Sequence, residues 1–184
     1  MNLSGKTALI TGGARGMGRV SALELAGMGR RSSSWTGRAR PAPDVLARYP
    51  ALHILMCNAG ITDPVRRVSV DGWELHVATC HLAHFLLTHL LLDLLKKSAP
   101  ARIVSISSDA HKAGPGLDFD DLNNEKIWKG ARTHIYVASA PDIEGQSGKY
   151  FAYCKEAQPS PLALDPAIRR RIWAWTAQVT GVGG

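Results

Sequence analysis

The sequence predicts an α/β fold, a parallel sheet flanked by helices, on three observations. Lys6–Thr11, Leu52–Cys57 and Arg102–Ser107 are short apolar runs of the kind that form strands buried on both faces. A glycine-rich turn follows the first run at once. Helical patterns separate the runs, and strands alternating with helices make a parallel sheet.

In chain order, Met17, Val20, Leu23 and Leu25 give the segment from Gly16 one apolar helical face. Between Gly29 and Arg48 lie five arginines, one acid (Asp44), Ser32-Ser33-Ser34, Pro41 and Pro43, with neither helical nor strand periodicity. Residues 29–48 are therefore expected to be an irregular loop. Asp71 is placed to cap a long helix ending near Lys97, where lysines complement the helix dipole. His111–Asn124, with Gly114-Pro115-Gly116, reads as loop, and Ala131–Ala140 as a helix halted by Pro141. Gly148–Cys154 is expected to form a final strand. Asp165-Pro166 opens a last helix, with Asp at the cap and Pro in the first turn. With no repeat and no linker, residues 1–184 are expected to form one domain.

Composition narrows the function classes. The chain has 184 residues, 45% of them apolar, and a formal charge of +7, which is ordinary for a globular protein. Cys57, Cys80 and Cys154 are too few and scattered for a disulfide scaffold or a four-ligand zinc site, and point to a reducing compartment. The start, MNLSGKTALITGG, lacks a signal-peptide pattern. The apolar stretch Leu82–Leu95 is broken by His84, His89 and Asp93 and is too short for a membrane span. A cytoplasmic or other reducing intracellular setting is thus expected, with no transmembrane segment. The arginines of 29–48 and Arg169-Arg170-Arg171 accompany no nucleic-acid-binding motif, so they read as solvated charge. His76, His81, His84 and His89 spread round their helix without a carboxylate or thiolate cluster, so no metal site is expected. Nothing near Cys57 lowers its pKa, and it reads as packing. Trp173 and Trp175 read as docking residues of the last helix.

Thr11-Gly12-Gly13-Ala14-Arg15-Gly16-Met17-Gly18 joins the first strand to its helix. Glycines there let the backbone turn sharply and approach a ligand, while the helix N-terminus offers N–H groups to a pyrophosphate. The strand–turn–helix setting makes this a dinucleotide cradle, with Arg15 placed to meet an extra phosphate.

These residues resemble the short-chain dehydrogenase/reductase family, in particular its retinol-dehydrogenase-like branch. Thr11–Gly18 matches the TGxxxGxG cofactor turn, and Asn58-Ala59-Gly60 the NAG motif that borders the cofactor. His81–Thr88 is similar to the branch's HLGHFLLT helix, Arg102–Ser108 to its RIVNVSS strand, and Gly148–Phe151 to its GKYF region. The resemblance implies a truncated Rossmann-type three-layer parallel sheet that binds NADP, or NAD, through Thr11, Gly12, Arg15, Gly16, Met17, Gly18, Asn58, Ala59 and Gly60. It makes Ser108 the catalytic serine of hydride exchange with a lipophilic, retinoid-like alcohol or carbonyl. A homo-oligomer is compatible with it.

Two blocks of the family pattern are absent. Only 33 residues separate Gly18 from Leu52, where the family has a helix, a strand, a helix and another strand, and one βαβ unit alone takes about 30 residues. The first strand is therefore expected to have an uncovered edge. The second gap removes Tyr-x3-Lys, in which Lys one helical turn beyond Tyr lowers the phenol's pKa. Four residues beyond Tyr49, Tyr136, Tyr150 and Tyr153 stand His53, Ala140, Cys154 and Ala157. The supporting Asn of the family aligns with Cys80. The resemblance thus implies an oxidoreductase lineage with impaired or lost activity. The alternatives are a non-catalytic nucleotide-binding or interaction protein, and a splice or gene-model product without function.

Overall fold

The computed structural model describes residues 4–28, 31–35, 41–62, 65–108 and 133–182. The chain runs β1 (Thr7–Thr11), α1 (Gly16–Gly27), β2 (Arg31–Trp35), α2 (Pro41–Arg48), β3 (Ile54–Cys57) and α3 (Leu75–Val77). A π-helical turn, Ala78–Leu82, carries α3 into α4 (Ala83–Lys97), followed by β4 (Arg102–Ser105) and a helix, α5, at 133–139. A hairpin of β5 (Phe151–Ala152) and β6 (Lys155–Glu156), then α6 (Pro161–Leu164) and α7 (Pro166–Thr180), complete it.

Four parallel strands form one sheet in the order β2-β1-β3-β4. The three apolar runs are adjacent in it, as the sequence predicts. Their alternate side chains enter two separate cores. Leu9, Leu55 and Cys57 pack with Ala42 and Val45 of α2 and Leu87, Leu91 and Leu95 of α4. Ala8, Ile10, Ile54, Met56 and Val104 pack with Leu25 of α1 and Ala138 of α5. The period-two split across a doubly covered sheet is what makes three layers.

Several expectations need correction. Residues 29–48 are not an irregular loop, because β2 and α2 lie within them. β2 pairs in parallel along the whole of β1, from Thr7↔Arg31 to Thr11↔Trp35, so the edge of β1 is covered. A backbone ladder needs no apolar alternation, and the serine run therefore gave no strand signal. The Leu75 helix is capped by Glu74, whose carboxylate accepts from Val77 N at 3.0 Å and from the His76 ring at 2.8 Å, rather than by Asp71. These bonds hold the Glu74 carboxyl down at about 2. Gly148–Cys154 forms only half of a two-residue antiparallel hairpin outside the main sheet.

From Leu75 to Lys97 the helix is 23 residues, long and apolar enough by length and composition to cross a membrane, and extends beyond the apolar stretch Leu82–Leu95. Its Leu87, Leu91 and Leu95 lie in the core beneath β3. The last helix begins as predicted, with Asp165 accepting from Ala167 N at 2.7 Å and Ile168 N at 3.3 Å. It docks on the Leu75–Lys97 helix. Trp173 meets Phe85 edge-on at 5.0 Å, Trp175 meets Trp73 at 5.7 Å, and buried Thr176 bonds His81 Nε2 at 2.7 Å.

Candidate functional site: the carboxyl edge between β1 and β3

Strand order reverses at β1. The chain passes from β1 to β2 on one side and then returns to β3 on the other. Loops leaving the carboxyl ends of such strands diverge and open a crevice, the usual ligand position in open α/β sheets. Thr11, Asn58 and Ile106 follow one another along this edge, with Cys57↔Ser105 in register and Ile106 N bonded to Cys57 O at 3.0 Å.

Buried Thr11 joins the two loops. Its Oγ1 accepts from the backbone N–H of Asn58 and of Ala59, each at 2.9 Å. Asn58 Nδ2 donates back to Thr11 O at 3.0 Å. Gly12, at φ +67°, lies so close to the second loop that a Cβ would stand 2.9 Å from Ala59 Cα. A Cβ on Gly18 would collide with Asn58 Nδ2 and stand 2.5 Å from Gly12 O. Gly16, at φ +52°, instead faces open space.

Helix α1 starts at Gly16 without a side-chain cap from Arg15. Its first N–H groups have no intrahelical partner and give the end a partial positive charge. The structure thus brings Thr11, Gly12, Gly18, Asn58 and Ala59 together as a packed support. Arg15, Gly16, Met17 and Gly60 lie on its exposed side. An open glycine, an uncapped helix start and a close-packed floor fit a pyrophosphate.

Ser108 lies three residues beyond β4 on the same edge and is exposed. The tyrosines are dispersed. Tyr49 follows α2, and Tyr136 sits in α5 with its hydroxyl donating to Asp142 at 2.9 Å. Tyr153 is 81% exposed in the turn of the hairpin, at φ +52°, and Lys155 lies in β6. A tyrosine in a turn and a lysine in a strand do not reproduce the one-turn helical spacing.

Half-buried His84 of α4 is the site residue that sequence reading passed over. Its Nε2 lies 2.9 Å from Thr11 Oγ1 and its Nδ1 3.3 Å from Cys80 O. Burial pushes its pKa below the usual histidine value, against the Cys80 carbonyl and helped by nearby His81. No local signal could join two residues 73 positions apart. Burial also raises the Cys57 thiol, as its packing role requires. Among the described residues, no three His, Cys, Asp or Glu side chains gather into a metal-binding group.

A parallel three-layer sheet with a glycine turn at its switch point defines a Rossmann-type α/β protein. Two solved structures share this fold. One is an uncharacterised protein of Mycobacterium paratuberculosis, 22% identical over 98% of this chain and 95% of that one, TM-score 0.72. The other is ligand-free aldohexose dehydrogenase of Thermoplasma acidophilum, 16% identical over 76% and 63%, TM-score 0.51.

The short chain dehydrogenase family profile matches residues 34–117. Retinol dehydrogenase 11 of Mus musculus and of Homo sapiens are each 33% identical over 99% of this chain and 88% of their own. Human retinol dehydrogenase 14 is 28% identical over 98% and 88%. The chain therefore belongs to the short-chain dehydrogenase family and is retinol-dehydrogenase-like. Its alignment with human retinol dehydrogenase 14 extends over 295 positions although the chain has 184 residues, so the relative carries internal segments lacking here. Membership implies a nicotinamide dinucleotide cofactor.

Proposed function

We propose that this chain is an NADP(H)-binding member of its family, with NAD(H) the alternative, whose alcohol–carbonyl oxidoreduction is lost or severely impaired. The carrying observation is the support formed by Thr11, Gly12, Gly18, Asn58 and Ala59 beneath the open start of α1. In this reading the N–H groups of Gly16, Met17 and Gly18 receive the pyrophosphate, and Arg15 meets a 2′-phosphate. Asn58-Ala59-Gly60 borders the nicotinamide side.

Ser108 would orient the oxygen of a lipophilic, retinoid-like alcohol or carbonyl. With neither a Tyr-x3-Lys pair nor the supporting Asn, the chain has no family acid to move the proton that must accompany hydride. Reading residues 1–184 as one nucleotide-binding domain in a reducing intracellular compartment, free or as a homo-oligomer, belongs to the same proposal. A second reading, a binding protein without turnover, is favoured by the dispersed tyrosines.

Calorimetric titration with NADPH tests the first half. NADPH oxidation with retinal and simple aldehydes tests the second. Micromolar binding without turnover is the expected result. Binding that is unaffected by Gly16→Val but abolished by Ser108→Ala would overturn the assignment of the cradle.

A further inference from the structure

Among the described residues, four polar partners surround the Thr11 hydroxyl, and their donor count is restrictive. Asn58 N–H and Ala59 N–H can only donate, so they use both lone pairs of Oγ1. The single hydroxyl proton must then go to His84 Nε2 at 2.9 Å or to Met56 O at 3.4 Å. The second distance is long for an O–H···O bond. The proton therefore goes to His84, whose Nε2 is an acceptor and whose Nδ1 carries the hydrogen. That hydrogen faces the Cys80 carbonyl, which can only accept. Both ends of the ring thus call for the same neutral tautomer.

We propose that His84 is a positioning residue for the dinucleotide site. By accepting from Thr11 it leaves that hydroxyl free to hold the Asn58 and Ala59 amides, and its protonation releases them. The inference rests on the dinucleotide reading above and adds a residue and a pH dependence to it. A proton on Nε2 would give Oγ1 three donors for two lone pairs, so one amide loses its partner. Gly12 and Gly18 lean directly on Asn58 and Ala59, so movement there shifts the floor of the cradle.

The groups facing the ring are few. Among the described residues they are His81 and the Cys80 carbonyl on its own helix and Thr11 of β1. The nearby Cys57 thiol is held protonated by burial and bonds Thr88. Nearby His81 helps to hold the His84 pKa down, and the neutral ring is the state the fold selects.

The test is titration of the whole chain with NADP+ at pH 7.5 and pH 5.0. Wild-type affinity should fall about tenfold at the lower pH, the effect of one unpartnered buried amide. His84→Gln keeps an acceptor that does not titrate and should show a pH effect about tenfold smaller than wild type, any titration of NADP+ itself being common to both. His84→Leu should bind weakly at both. His81→Gln should keep a pH-dependent profile, displaced to higher pH because the neighbouring imidazole no longer opposes a proton on His84. A pH effect as large in His84→Gln as in wild type overturns the proposal.

Two readouts need no ligand. The His84 ring 15N shifts should report the Nδ1–H tautomer, and an Nε2–H tautomer overturns the proposal with no variant at all. Hydrogen-exchange protection of the Asn58 and Ala59 amides should drop about tenfold at pH 5.0 in wild type only. If that drop is seen and no form binds NADP+, the dinucleotide reading fails while the latch stands.

Discussion

Gly18 and Asn58 meet without room for a methyl group. The face of Gly18 that would carry a Cβ is filled by Asn58 Nδ2, which is itself fixed by its bond to Thr11 O. The start of α1 is thereby seated on the loop after β3, and the turn between them can close only around glycine.

Gly18→Ala should consequently destabilise the chain by about 1–3 kcal/mol, the usual effect of forcing atoms into a packed site. Gly27 lies at the other end of the same helix, and nothing is within 4 Å of its Cβ position. Gly27→Ala should stabilise by about 0.4–1 kcal/mol through lost unfolded-state freedom. Urea denaturation of both variants decides it. Equal effects would mean that Gly18 is not in close contact.

The parts of the fold that were legible are those whose signal lies in their own residues. β1, β3 and β4 announce themselves as apolar runs, and Asp165-Pro166 marks the start of α7 by cap chemistry. β2 was missed because Arg31–Trp35 pairs along the backbone of β1 while its serine run carries no apolar pattern in the sequence. Asp71 is the better cap residue on paper, and only the helix start at Leu75 chooses Glu74. In the site, the glycine turn and Asn58 were readable because spacing and setting define them. His84 was not, since its role depends on which hydroxyl lies opposite.

Leu91 and Leu90 are successive residues of α4 with opposite surroundings. Leu91 is fully buried against β3 and α2, whereas Leu90 is 46% exposed. Leu91→Ala should lower stability by about 2–5 kcal/mol through lost transfer energy and a residual cavity. Leu90→Ala should change it by less than about 1 kcal/mol, as surface substitutions do. A large loss from Leu90→Ala, measured by thermal unfolding in dilute solution, would show that this face of α4 is not open to solvent.

Acid should weaken the fold before any carboxylate titrates. Burial lowers the pKa values of His84 and His134, and burial together with Lys6 lowers that of His53. Below about 6.5, the ordinary histidine value, the unfolded chain binds protons that the folded chain refuses. Stability therefore falls as pH drops from about 6.5 to the folded values, then levels off with respect to these groups. Tm recorded between pH 7.5 and 5.0 should decline, and His84→Gln should shallow the decline. A Tm that is flat over this range would contradict the lowered pKa values of these rings.

Catalysis should be negligible in the chain as it stands. Hydride delivered to a carbonyl leaves an alkoxide that must be protonated, and a positioned acid or base is worth roughly 10²–10⁴-fold. Ser108 can donate a hydrogen bond but has no family tyrosine beside it in sequence, and the dispersed tyrosines offer no replacement. Tyr153 and Lys155 come nearest in sequence, yet one lies in an exposed turn and the other in β6. NADPH oxidation with retinal or simple aldehydes should therefore stay near background in wild type, and Ser108→Ala and Tyr153→Phe should change nothing. Inserting a Tyr-x3-Lys helix between β4 and α5 should raise turnover and make it dependent on Ser108. Turnover at ordinary enzyme rates by the unmodified chain, lost in Tyr153→Phe, would show that the hairpin supplies the acid.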